Sequence, residues 1–179
     1  VPTNSFADFS GLVSADSLVK DGSGNLTLSG ANTFTRKTSV LDGKLILGAN
    51  NTLADASSIT VNGASAILDV GTATDTVGGV QLVNGSIIGG AGALSSTTAF
   101  DMQNGTASAN LGGSATLTKT TSGTVTLSGN NSFTGLGNIN AGTLIASSSN
   151  AFGSASPGTT VASGAVLRKL GFRKTGRVE

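Results

Sequence analysis

Residues 18–46, LVKDGSGNLTLSGANTFTRKTSVLDGKLI, return 99 positions later as LTKTTSGTVTLSGNNSFTGLGNINAGTLI at 117–145. The two copies agree at 14 of 29 positions, among them Lys20/Lys119, Asn32/Asn131, Phe34/Phe133 and Gly43/Gly142. A shorter period lies inside the longer one. Leu26 to Leu45 is 19 residues, Leu45 to Ile67 is 22 and Ile67 to Ile87 is 20; Val125 to Leu144 is 19 and Leu144 to Val166 is 22. A short apolar run that returns every 19 to 22 residues is the signature of stacked units. No single unit can bury its own apolar face, so each lies on the one before.

The runs read as strands. In Leu26-Thr27-Leu28 and Val125-Thr126-Leu127 the aliphatics point one way and Thr the other. Gly makes up 27 of 179 residues, and Ser, Thr and Asn recur throughout, which disfavours helix interiors. Between the runs stand Asp42-Gly43, Asn62-Gly63, Asn84-Gly85, Asn104-Gly105 and Ala141-Gly142. Such pairs also serve β-hairpins, so the local sequence leaves a meander open. The steady period favours a coil of about seven rungs at roughly 20–25 residues each. Phe34 and Phe133 would then fill the wider turns. Leu, Ile, Val and Phe together are about a quarter of the chain, enough for a core rather than for disorder.

Composition removes several chemistries. There is no Cys, His, Trp or Tyr, hence no disulfide, no Cys or His metal site and no His general base. No stretch approaches the ~18 apolar residues of a membrane helix, and no basic-then-apolar leader follows Val1. Residues 1–167 carry eight Asp against five Lys or Arg, whereas 168–179 carry five Lys or Arg against Glu179. The expected division is a solenoid over 1–167 and a solvated basic tail over 168–179. That tail holds no motif for reading nucleic acid, so no nucleic-acid partner is expected.

The runs GSGNLTLSGANTF…LDGKLIL (22–47) and TSGTVTLSGNNSFTG…NAGTLI (121–145) resemble the passenger-associated β-strand repeat of Gram-negative autotransporters. The resemblance extends over about 12–167, with Phe34 and Phe133 where the family usually has Tyr. It implies a right-handed parallel β-helix displayed at the cell surface or outside the cell. The implied role is a non-catalytic stalk or scaffold, or else an adhesin that binds host glycan or matrix protein through exposed loops. The family's C-terminal membrane barrel would belong to the parent chain. The likeness stops after Leu167, and 168–179 is expected to be a truncation or frame-shift remnant. The lack of Cys suits export, since a periplasmic disulfide would lock a loop before the chain threads outward. A rung left open at Val166-Leu167 would favour end-to-end association.

Other chemistries find little support in these residues. Gly89-Gly90-Ala91-Gly92-Ala93-Leu94 has the glycines of a calcium-binding roll but Leu in place of its Asp. A β-helical lyase or glycosidase needs clustered carboxylates. Here Asp8, Asp16, Asp21, Asp42, Asp55, Asp69, Asp75 and Asp101 are scattered, and Arg36-Lys37 near Asp42 is the one mixed cluster. Thr116, Thr118, Thr120, Thr124 and Thr126 suggest an ice-binding array, but other rungs do not continue it. The Asn-x-Ser/Thr sequons at Asn25, Asn50, Asn84, Asn104 and Asn130 follow from composition. No catalytic, metal or cofactor residue is therefore assigned, and the chain is expected not to be an enzyme.

Overall fold

The computed structural model describes residues 6–12, 14–154 and 158–170. They form strands and connecting turns with no helix, and every strand pair is parallel. This settles the hairpin question: Asn84-Gly85 and Asn104-Gly105 turn the chain around a corner, not back on itself.

Two faces run the length of the stack. The first is built from β1 (Phe6–Phe9), β3 (Asn25–Leu28), β5 (Lys44–Leu47), the ends of β6 (Ser58–Asp69) and β8 (Gly79–Ile88), β11 (Gly105–Ala107), β14 (Thr124–Leu127), β16 (Thr143–Ala146) and β18 (Val166–Lys169). Nine levels on this face make about eight turns, one more than the period suggested. The second face holds β2 (Ser17–Lys20), β4 (Lys37–Val40), the starts of β6 and β8, β10 (Ala99–Met102), β13 (Thr116–Lys119), β15 (Gly137–Ile139) and β17 (Thr159–Val161). A shorter third face is made by β7 (Thr74–Val77), β9 (Ala93–Ser96) and β12 (Asn110–Gly112). β6 and β8 bend through a corner and join the first two faces into one ladder.

The core is a set of columns. Leu26, Leu45, Leu68, Ile87, Ala107 and Leu127 lie in register on the first face, all buried. The second face adds Val40, Val61, Leu82 and Met102, each fully buried. The sequence reading put Ile67 and Val166 in the inward column. The register instead pairs Leu45 with Leu68 and Leu144 with Leu167. A one-residue shift turns a side chain to the opposite face, so Leu68 is buried and Ile67 is half-exposed.

The repeat copies keep register differently on the two faces. On the second, successive pairs lead from Lys20 through Val40, Val61, Leu82 and Met102 to Lys119, its own repeat equivalent. On the first, the chain of pairs from Leu26 ends at Leu127, two residues beyond its equivalent Val125. The register shifts at the β6–β8 corner are where the first face starts to drift. An even shift preserves which side chains face inward, so Val125 and Leu127 are both buried.

The repeat copies have no strand on the third face. Phe34 and Phe133 fill that space, at 1% and 0% exposure, and the Phe133 ring lies 5.9 Å from that of Phe100. Gly43 and Gly142 turn the corner of each copy with φ of 63° and 66°. A Cβ on Gly43 would stand 2.4 Å from the carbonyl oxygens of Gly22 and Gly24 in the turn before.

The stack continues past the boundary expected at residue 167. Arg168 and Lys169 belong to β18 and pair with Ile145 and Ala146, and the Leu170 amide donates to the Ala146 carbonyl. The rest of the expected tail, 171–179, lies outside the described residues. Val161, Val166 and Leu170 are exposed on this last turn.

Candidate functional site

No site residue was assigned from the sequence, and its weaker candidates are dispersed by the fold. Arg36 meets Asp16 at 3.7 Å on an exposed surface, not Asp42. Among the described residues no three acidic side chains gather to hold a metal. Leu94, in the glycine run that resembled a calcium roll, is fully buried. Thr116 and Thr118 stand on the second face and Thr124 and Thr126 on the first, so the threonines form no single flat array.

Polar groups that the sequence reading did not single out are organised inside the stack. Lys20 and Lys119 occupy inward positions on the second face and are 6% and 0% exposed. Each stem fills the core and each ammonium curls to the corner. Lys20 Nζ donates to the carbonyls of Gly22 at 2.6 Å, Asp42 at 2.9 Å and Asp21 at 3.3 Å. Lys119 Nζ donates to the Thr121 carbonyl and, at 3.4 Å, to its hydroxyl. Burial draws both amines below the ordinary lysine range; Asp42 and Asp21 oppose this at Lys20, and Asp101 at Lys119. Their identity in both copies, on the inward side of an alternating strand, was the available signal.

A second buried series follows the third face. Asn32 Nδ2 donates to the Gly30 and Thr52 carbonyls at 2.8 and 3.0 Å. One turn on, Asp75 Oδ2 accepts from the Thr52 and Leu53 amides at 2.8 and 3.0 Å. Asn131 repeats the arrangement, accepting from the Leu111 amide at 2.8 Å and donating to the Ala151 carbonyl at 2.7 Å. These side chains satisfy backbone groups where the third ladder begins and ends. Asp75 is fully buried and no hydrogen bond reaches its Oδ1. Burial lifts its pKa to about 6; amide hydrogen bonds from Leu53, Thr52 and Thr76 pull it down, and Asp55 adds to the rise.

The outer side of the second face carries a carboxylate of the opposite kind. Asp101 Oδ2 accepts from Gln81 Nε2 at 2.9 Å and Gln103 Nε2 at 2.8 Å, while Oδ1 accepts from the Thr120 hydroxyl at 2.7 Å. Partial burial pushes its pKa up, but these three donors, with Lys119 behind them, outweigh burial and hold it below the usual carboxylate range. Beside it lies a groove of about 290 Å³ that reaches to Lys37. A larger cavity of about 640 Å³ opens at the last turn, among Asn150, Phe152, Leu167 and Lys169.

The passenger-associated-transport-repeat model matches residues 18–47 and 117–146, the two copies described above. Over 155 residues the chain is 38% identical to the adhesin BmaC autotransporter of Brucella suis biovar 1 (strain 1330). That match covers 82% of this chain and 4% of the relative's length. No solved structure matches the chain. Given its parallel solenoid, its two matched repeats and its likeness to an autotransporter, the chain is an autotransporter passenger segment.

Proposed function

We propose that the segment is a non-catalytic structural rod of a passenger exported across the outer membrane and displayed at the surface or outside the cell. The observation that carries this is the unbroken parallel ladder, in which each turn is paired to the turns before and after it over a continuous apolar core. Such a body is stiff along its axis and lengthens by adding turns. The non-enzymatic reading is supported by the relative's name, an adhesin, and by the lack of His and Cys. The test is to insert a second copy of residues 45–143, one 99-residue period, and measure the maximum dimension by small-angle scattering. Five added turns should lengthen the particle by about 24 Å at unchanged width. Growth in width, or loss of the β circular dichroism spectrum, would overturn the rod.

A second reading, direct adhesion, is favoured by the relative's name and by the polar groove on the flank of the stack. On this reading the segment itself contacts a surface ligand while it acts as a spacer. Immobilised chain should then retain acidic glycans on a column; uniform flow-through of neutral and acidic glycans would exclude it.

A further inference from the structure

Two outward columns of the second face run side by side. One is Lys37, Ser58, Gly79 and Ala99; the other includes Thr60, Gln81 and Asp101. In the first the side chains shrink to Gly79 and Ala99 halfway along, and this opens the groove of about 290 Å³. Its two ends carry opposite charges. The ion pairs among the described residues are Arg36–Asp16 and Lys44–Asp69, so Lys37 belongs to neither. Asp101, three turns on, is fixed in direction by Gln81, Gln103 and Thr120. A carboxylate oxygen accepts about two hydrogen bonds, which leaves Oδ1 a further acceptor position. Thr60 is joined to the same network through Gln81 at 3.5 Å.

This chemistry selects among occupants. The backbone groups of β6, β8 and β10 are spent in the ladder, so the face offers nothing to an added peptide strand. No aromatic side chain lines the groove, so a peptide's apolar anchors would find no pocket. Hydroxyl, carboxamide, carboxylate and ammonium groups spaced one turn apart suit a polyhydroxylated chain. Successive turns stand about 4.8 Å apart, close to the rise of an extended pyranoside. Lys37 and Asp101 are thus about 14 Å apart along the axis, beyond the screening length at physiological salt. An anion held at Lys37 is therefore little repelled by Asp101.

We propose that this groove binds a short acidic oligosaccharide laid along the solenoid axis, with a uronate-type carboxylate at Lys37 and ring hydroxyls at Asp101. The proposal rests on the adhesive reading and gives it a place and a ligand class.

The experiment is a titration of the isotopically labelled chain with hyaluronan tetrasaccharide, followed by amide shifts, with cellotetraose as the neutral probe. Shifts should concentrate on residues 58–60, 79–81 and 99–101, and cellotetraose should bind at least tenfold more weakly. Lys37→Gln and Asp101→Asn should each weaken the tetrasaccharide roughly tenfold, the loss of one charge-assisted contact. Lys44→Ala, on the other face, should leave affinity unchanged. Melting curves of each variant separate lost binding from lost folding. Equal binding of the neutral probe, or an equal loss with Lys44→Ala, would overturn the groove as an acidic-glycan site. Column retention of acidic glycan that survives Lys37→Gln and Asp101→Asn would overturn the groove but leave the adhesive reading standing. No retention by the unmodified chain would overturn both.

Discussion

Lys20 and Lys119 stand in one inward column, five register steps apart, and each turns its ammonium onto carbonyls of the corner that follows it. They differ in reach. Lys20 spans two successive turns through Asp42, whereas the bonds of Lys119 stay with Thr121. Replacement by Met keeps the stem and removes the donor. Lys20→Met should therefore cost about 2 kcal/mol, and Lys119→Met about 1 kcal/mol, in urea unfolding. Equal costs would mean that the inter-turn bond adds nothing.

Asp75 makes stability depend on pH. Its folded pKa of about 6 lies above the ordinary 3.8, so the native state holds the proton more tightly than the unfolded chain does. The stabilisation is complete below about pH 3.8 and is lost as pH rises through about 6. The span is about 2–3 kcal/mol. Urea midpoints taken between pH 4 and pH 8 should fall along this curve. Asp75→Asn, which can accept from Thr52 and Leu53 as Asn131 accepts from Leu111, should flatten it and raise stability at pH 7.

Two glycines with positive φ should respond differently to alanine. Gly22 has φ of 76° and open space where a Cβ would go. Gly22→Ala should cost only the left-handed backbone penalty, about 1–2 kcal/mol. Gly43 has φ of 63° with two carbonyl oxygens 2.4 Å from its virtual Cβ. Gly43→Ala should cost more than about 3 kcal/mol, because the neighbouring turn must move. Thermal melts of the two variants compare them directly.

The inward choice between neighbouring aliphatics is also open to test. Leu68→Ala should cost about 3 kcal/mol and Ile67→Ala less than about 1 kcal/mol. The reverse order would restore the register that the spacing of Ile67 suggested.

The period of the fold was legible because each turn carries at least one alternating strand. Its register was less so. Ile67-Leu68 and Val166-Leu167 are both apolar pairs, and alternation cannot choose between adjacent aliphatics; the pairing to Leu45 and Leu144 decides. The third face was hidden because Thr74–Val77, Ala93–Ser96 and Asn110–Gly112 have too few apolar residues to show a period. Asp75 read as a turn acid because the amides that hold it belong to Thr52 and Leu53, a full turn earlier. The Asp101 network was likewise invisible, since Gln81 and Thr120 reach it from the turns on either side.

The drift on the first face bears on how such a chain changes through inheritance. Two equivalent segments can be copied five turns apart and misalign by two residues without turning any buried side chain outward. What the corners must conserve is parity, not length. Unequal recombination that adds or drops an even number of corner residues leaves a foldable gene, and an odd change ruins every strand downstream that keeps the altered register. Reach from the cell can therefore vary between generations by whole turns, while the surface those turns present is free to change residue by residue.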